Sequence, residues 1–183
     1  IRDSLRKCPC PVWVIRPTRA RKLRVLAAID PDPDETELNR SILELSASLA
    51  GLYGGELHVG HAFEVSTEHL MRSGLHGGYS EREIQQAQRE ERAERYADVL
   101  HLLAPSQDQG ARWKVHVVHG SPPDLIVDLV NRYQINLLVL GTVARTGLSG
   151  LLMGNTAERI LADVSCSILA VKPPGFISPI SRK

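Results

Sequence analysis

The sequence has no apolar run approaching the ~20 residues that a membrane-spanning helix requires. It also lacks a charge surplus, with 22 Lys and Arg against 21 Asp and Glu in 183 residues. The first absence argues against a membrane partner. The second, a formal charge of +1, removes the basic excess by which a nucleic-acid partner usually shows. Cysteine is scarce, and the odd set Cys8, Cys10 and Cys166 does not build a secreted disulfide framework. Cys8-Pro-Cys10 lacks the C-x-x-C spacing and a second ligand pair, so no metal site is expected and the thiols are read as small apolar residues. His58 and His61 are three apart on a strand-like run and face opposite sides, as do His116 and His119, so neither pair shares a metal. No signal peptide is recognisable, and a reducing cytoplasm is the expected location. Two nucleotide motifs are missing as well: neither G-x-x-x-x-G-K-[ST] nor a G-x-G-x-x-G after the first strand occurs.

What is present is a regular alternation. Hydrophobic residues make up 43% of the chain. Five apolar runs read as strands: LRVLAAI (23–29), ELHVGHAF (56–63), KVHVVHG (114–120), INLLVLGT (135–142) and CSILAVKP (166–173). The first and fourth are almost continuously apolar, as strands covered on both faces are. Helical spacing fills the gaps at 35–52, 80–103, 122–133 and 156–163, the third opening on Pro122-Pro123. Glu64 to Tyr79 is polar and glycine-containing and reads as an excursion. Strand and helix in alternation predict βαβ units: an α/β, Rossmann-like open sheet of five parallel strands with helices on both faces.

The chemistry concentrates at two strand ends. The first strand ends AAID, which puts Asp30 at the rim, and the fourth ends VLGT, which puts Gly141 there. In such sheets ligands sit at the carboxyl ends of the strands where the order reverses. After Gly141 a glycine-punctuated stretch leads to Gly154-Asn155-Thr156, where a helix starts. Glycine lets backbone N–H groups approach a phosphate, and a helix N-terminus favours an anion. A carboxylate across the crevice accepts hydrogen bonds from ribose hydroxyls. Asn155, with Glu158 three residues later, also resembles a capping box.

The first seventeen residues stand apart. LRKCPCPVWVIRP (5–17) aligns without gaps on LADVSCSILAVKP (161–173) at a constant offset of 156 residues. Residues 1–17 are therefore read as the tail of an upstream repeat, 20–174 as a complete domain, and 175–183 as a loose tail. Residues 12–16 and 168–172 are the natural edge pair.

The spacing Gly141, two residues, Ala144, nine residues, Gly154, Asn155 resembles the universal stress protein signature, G-x-x-G, nine residues, then G followed by Ser or Thr. The likeness extends over residues 20–174. It includes Asp30 at the first strand end, Gly120-Ser121-Pro122 before the third helix, and a last strand closing on Lys172-Pro173. The wording around the loop is similar to the second domain of tandem members. The resemblance implies a Rossmann-like, adenine nucleotide alpha hydrolase-like fold that often dimerises through its last strand. It implies a stress-response role with ATP as candidate ligand, Mg accompanying it. The residues it points to are Asp30, Leu57 or Val59 on the second strand, Gly141, Ala144, Gly154, Asn155 and Thr156. Ala144 and Asn155 depart from the signature where a phosphate would lie. With no Walker lysine, no carboxylate pair for Mg and no base beside the loop, no catalytic residue is assigned, and at most a weak ATP hydrolase is expected. The rival reading is a pairing module that associates through strand 167–171, with the upstream repeat or with a second copy.

Overall fold

A computed structural model describes residues 5, 7–18, 20–64, 80–104, 113–142 and 154–178. Six strands form one sheet: β1 (Val12–Val14), β2 (Arg24–Ala28), β3 (Glu56–Phe63), β4 (Trp113–His119), β5 (Leu137–Gly141) and β6 (Ser167–Val171). Four helices connect them: α1 (Thr36–Leu52), α2 (Glu81–Leu103), α3 (Pro122–Arg132) and α4 (Asn155–Asp163). The spatial order is β1-β6-β5-β2-β3-β4. The pairs of β2 with β3, β3 with β4, β2 with β5 and β5 with β6 are all parallel, so the expected five-stranded sheet is present. The sheet as a whole is mixed, because β1 joins β6 antiparallel.

Each face of the sheet carries one core. Val25, Ala27, Val59, Val139 and Leu169 point toward α1 and α2, while Leu26, Leu138, Ile168 and Ala170 point toward α3 and α4. The period of two in the strands sorts them, and burial on both faces explains why β5 is apolar throughout. α2 is the charged exception. Of its length only Ala87, Glu91, Val99 and Leu103 are buried, and its start is fixed by a capping box between Ser80 and Glu83.

Two side-chain amides set the register around β2. Asn136 accepts from the Arg24 N–H at 2.9 Å and donates to Lys22 O at 2.9 Å, locking β5 beside β2. Asn39 of α1 accepts from the Asp30 N–H at 3.1 Å and donates to the Asp30 carbonyl, so both backbone groups of Asp30 are held by one side chain.

Candidate functional site

The chain proceeds from β2 to β3 and β4 on one side, then returns to lay β5 on the other side of β2. The reversal point therefore falls between β2 and β5, where Ala28 faces Leu140. A crevice of about 630 Å³ opens at the carboxyl ends of these strands. Asp30, Gly141, Gly154, Asn155 and Thr156 all line it, so five residues singled out in the sequence share one cavity. Ala144 lies outside the described residues, as do most of the glycine-punctuated stretch and residues 65–79 of the excursion.

Val59 is a correction. It pairs with Ala27 in mid-sheet and is completely buried in the core toward α1, as is Leu57 almost completely. β3 runs on to Phe63, so the rim of that strand lies beyond both residues. His61 and Ala62 are the residues it brings to the crevice. The period of two identifies a strand's face but not the point at which its end leaves the sheet.

A second correction concerns the entry to α4. Gly154, extended at φ −60 and ψ 140, is the N-cap, and Asn155 is the first helical residue. No side chain caps the helix, so the expected Asn155 cap does not form. The Glu158 N–H bonds back to Gly154 O at 2.9 Å. The earliest N–H groups of the helix thus begin at the wall of the crevice with no side-chain cap among the described residues, the arrangement that suits an anion.

Several crevice residues carry charge. Glu35, at the end of a 3-10 turn, is pushed upward by burial and then by Asp32 and Asp34. Arg159 of α4 donates to Asp124 of α3 at 3.0 Å, an exposed pair at the mouth. His61 is 5% exposed, and its Nδ1 lies 3.2 Å from Ile29 O. That contact assigns the proton to Nδ1 and leaves Nε2 an acceptor with no partner among the described residues. Burial holds its pKa below the usual histidine value. Gly141 packs closely on α1: a Cβ there would lie 2.7 Å from Leu38 Cδ2, so the Leu38 side chain would have to turn aside.

Asn39, Glu35 and Arg159 were not singled out in the sequence, and His61 was read only as half of a histidine pair that shares no metal. Asn39 left a trace, since it is an amide within the buried stripe that Leu38, Ile42, Leu43, Ser46 and Ala47 form on α1. A buried amide in such a stripe needs partners, and Asp30 supplies them.

With this geometry in view, the comparisons with known proteins are consistent. The model of the universal stress protein family matches residues 23–172. Universal stress protein E of Salmonella typhi is 30% identical over 188 aligned residues, which cover 96% of this chain and 55% of that protein. The chain thus spans about half the length of the curated relatives it matches. The solved structure of a functionally unknown protein from Pseudomonas aeruginosa PAO1 superposes with a TM-score of 0.63 at 31% identity, covering 92% of this chain and 54% of the other. A universal stress protein solved in complex with cAMP gives a TM-score of 0.58 at 17% identity, covering 84% of this chain and 98% of the other, which bears on the fold alone. Among the described residues no helix is long and apolar enough to cross a membrane. The crevice at the β2/β5 reversal, the Gly141–Gly154 framework and the match over residues 23–172 together place this chain in the universal stress protein family.

Proposed function

We propose that this domain binds an adenine nucleotide, with ATP and its Mg as the ligand to test, in the crevice between β2 and β5. The observation that carries the reading is the convergence of Asp30, Gly141, Gly154, Asn155 and Thr156 on one cavity. Asp30 is pinned by Asn39 at the ribose end, and the uncapped start of α4 takes the phosphates. A nucleotide is also what a family member of the same fold was solved with, in that case cAMP. The domain acts as a stress-response binding module of the cytoplasm rather than through a catalytic residue of its own. Calorimetric titration with Mg-ATP tests this. Asp30→Ala is expected to weaken binding about tenfold or more, through loss of a charge-assisted hydrogen bond. Ala144→Gly, which restores the family signature, is expected to strengthen it. No heat of binding at millimolar Mg-ATP for either the native chain or the glycine variant would reject the reading.

A second reading, compatible with the first, is that β1 stands in for an upstream repeat. Trp13 pairs with Leu169, its own counterpart at the 156-residue offset, and Val12 and Val14 pair with the counterparts of each other. This is the pattern a two-fold axis through the Trp13–Leu169 pair produces. The counterparts differ in one respect. Leu169 and Val171 are buried under α1, whereas Trp13 is 43% and Ile15 75% exposed. A preceding domain of the same fold would cover them as α1 covers Leu169. With β1 in place the β6 edge is already paired, so the upstream repeat rather than a second copy is the partner proposed. Removing residues 1–17 opens that edge, and native mass spectrometry is expected to show a dimer. A folded monomer at micromolar concentration would contradict this reading.

A further inference from the structure

Among the described residues Lys172 is the one buried lysine, at 8% exposure, and it does not line the crevice. Its Nζ donates to the Thr142 hydroxyl at 2.6 Å and stands 4.8 Å from the centre of the Phe176 ring. Neither partner is a carboxylate. Lysine is almost never this deeply buried without an opposite charge, because desolvating an ammonium costs several kcal/mol. Burial accordingly lowers its pKa, with Cys8 opposing. An apolar side chain would fill this place at less cost, so stability alone gives no reason for an amine here.

Thr142 supplies the reason. It follows Gly141 and is completely buried. Its N–H donates to Val171 O at 3.3 Å, and its carbonyl accepts from the Gly154 N–H at 3.2 Å. The two ends of the segment between Gly141 and Gly154 are thus joined at Thr142, whose side chain is held from behind by Lys172. Gly141 and Gly154 are the two crevice glycines, so their separation is set at this junction.

We propose that Lys172 is a positioning residue for the phosphate end of the crevice: through Thr142 it fixes the spacing of Gly141 and Gly154, and it supplies a buried cation behind them. The phosphate part of this rests on the nucleotide reading above, whereas the junction itself does not. A partly desolvated cation favours an anion nearby more than a fully solvated one does. The ligand feature it serves is the phosphate, not the nucleoside.

The test uses the intact 183-residue chain with Lys172→Met and Lys172→Arg. Without nucleotide, amide hydrogen exchange at Thr142 and Gly154 is expected to speed up about tenfold in Lys172→Met, the effect of one lost buried hydrogen bond on local opening. Lys172→Arg, which keeps a donor and the charge, is expected to stay close to the native chain, and Arg16 is already the counterpart of Lys172 at the repeat offset. Lys172→Met is expected to melt at or above the native temperature, because a buried unpaired charge has been removed. Affinity for Mg-ATP is expected to fall about tenfold in the same variant, while affinity for adenosine holds. Unchanged exchange at both amides would overturn the proposal, as would equal losses of Mg-ATP and adenosine. If the native chain binds neither ligand, the nucleotide reading fails, and the exchange result alone decides whether Lys172 holds the junction.

Discussion

A methyl group added at Gly55 is expected to lower the stability of the domain by about 3 kcal/mol, the upper range for forcing atoms into a closed site. Gly55 joins the end of α1 to β3. A Cβ built there would lie 2.4 Å from Leu23 O, a backbone atom that cannot rotate away, and 3.1 Å from Leu23 Cβ. The same carbonyl accepts the Glu56 N–H at 2.8 Å, the first hydrogen bond between β2 and β3. Moving it would loosen the strand that carries Asp30. Gly51, four residues earlier in α1, has nothing within 4 Å of its notional Cβ. Gly51→Ala is therefore expected to be neutral or stabilising by up to about 1 kcal/mol, from helix propensity. Urea unfolding of the two variants checks both signs. Equal behaviour of the two would mean that β2 and β3 do not approach as described.

The second large effect is acid lability. His58 is 1% exposed on the α3 face of β3, with its Nδ1 2.9 Å from His116 Nε2 and its ring centre 5.0 Å from that of Tyr133. Burial first, then His116 and Lys114, bring its pKa down to about 4. Glu56 pulls the other way from 3.8 Å, but it is engaged by Lys114 and Lys22 at 2.8 and 3.0 Å. His116, also lowered by burial first and then by Lys114 and Arg132, and His61, lowered by burial first, shift in the same direction. A histidine whose folded pKa is depressed binds fewer protons folded than unfolded between the two values. Stability is then fully present above about pH 6.5 and is lost as pH falls toward about 4. His58 alone accounts for about 3 kcal/mol of that loss. Thermal melts from pH 7.5 to pH 4 check it, and His58→Gln is expected to flatten the profile. A native chain equally stable at both ends would show that the histidines are not held neutral.

How much of this was legible beforehand depended on the kind of signal. The βαβ order and the edge pair with β1 were readable, because buried strands are apolar throughout and a repeat exposes itself by constant offset; that β2 and β5 are neighbours came from the structure. That Asp30 and Gly141 would line the crevice was readable because ligand crevices in this architecture open at the carboxyl ends of strands. Val59 was misplaced by the length of β3, which nothing local in ELHVGHAF sets. Asn155 was taken as the cap of α4 because Asn is a better cap than Gly in general, yet the backbone at Gly154 decided it. No such role could be read for Asn39, His61 or Lys172, because each is explained only by a partner that the fold brings to it: the Asp30 backbone, Ile29 O and the Thr142 hydroxyl.

The most direct measurement of the central claim is an amide-resolved NMR titration of the intact chain with Mg-ATP, beside the Asp30→Ala variant. The account predicts shifts concentrated at Ile29, Asp30, Gly141, Gly154, Asn155 and Thr156, reduced in the variant. Shifts confined to the β4 edge, or none at millimolar nucleotide, would contradict it.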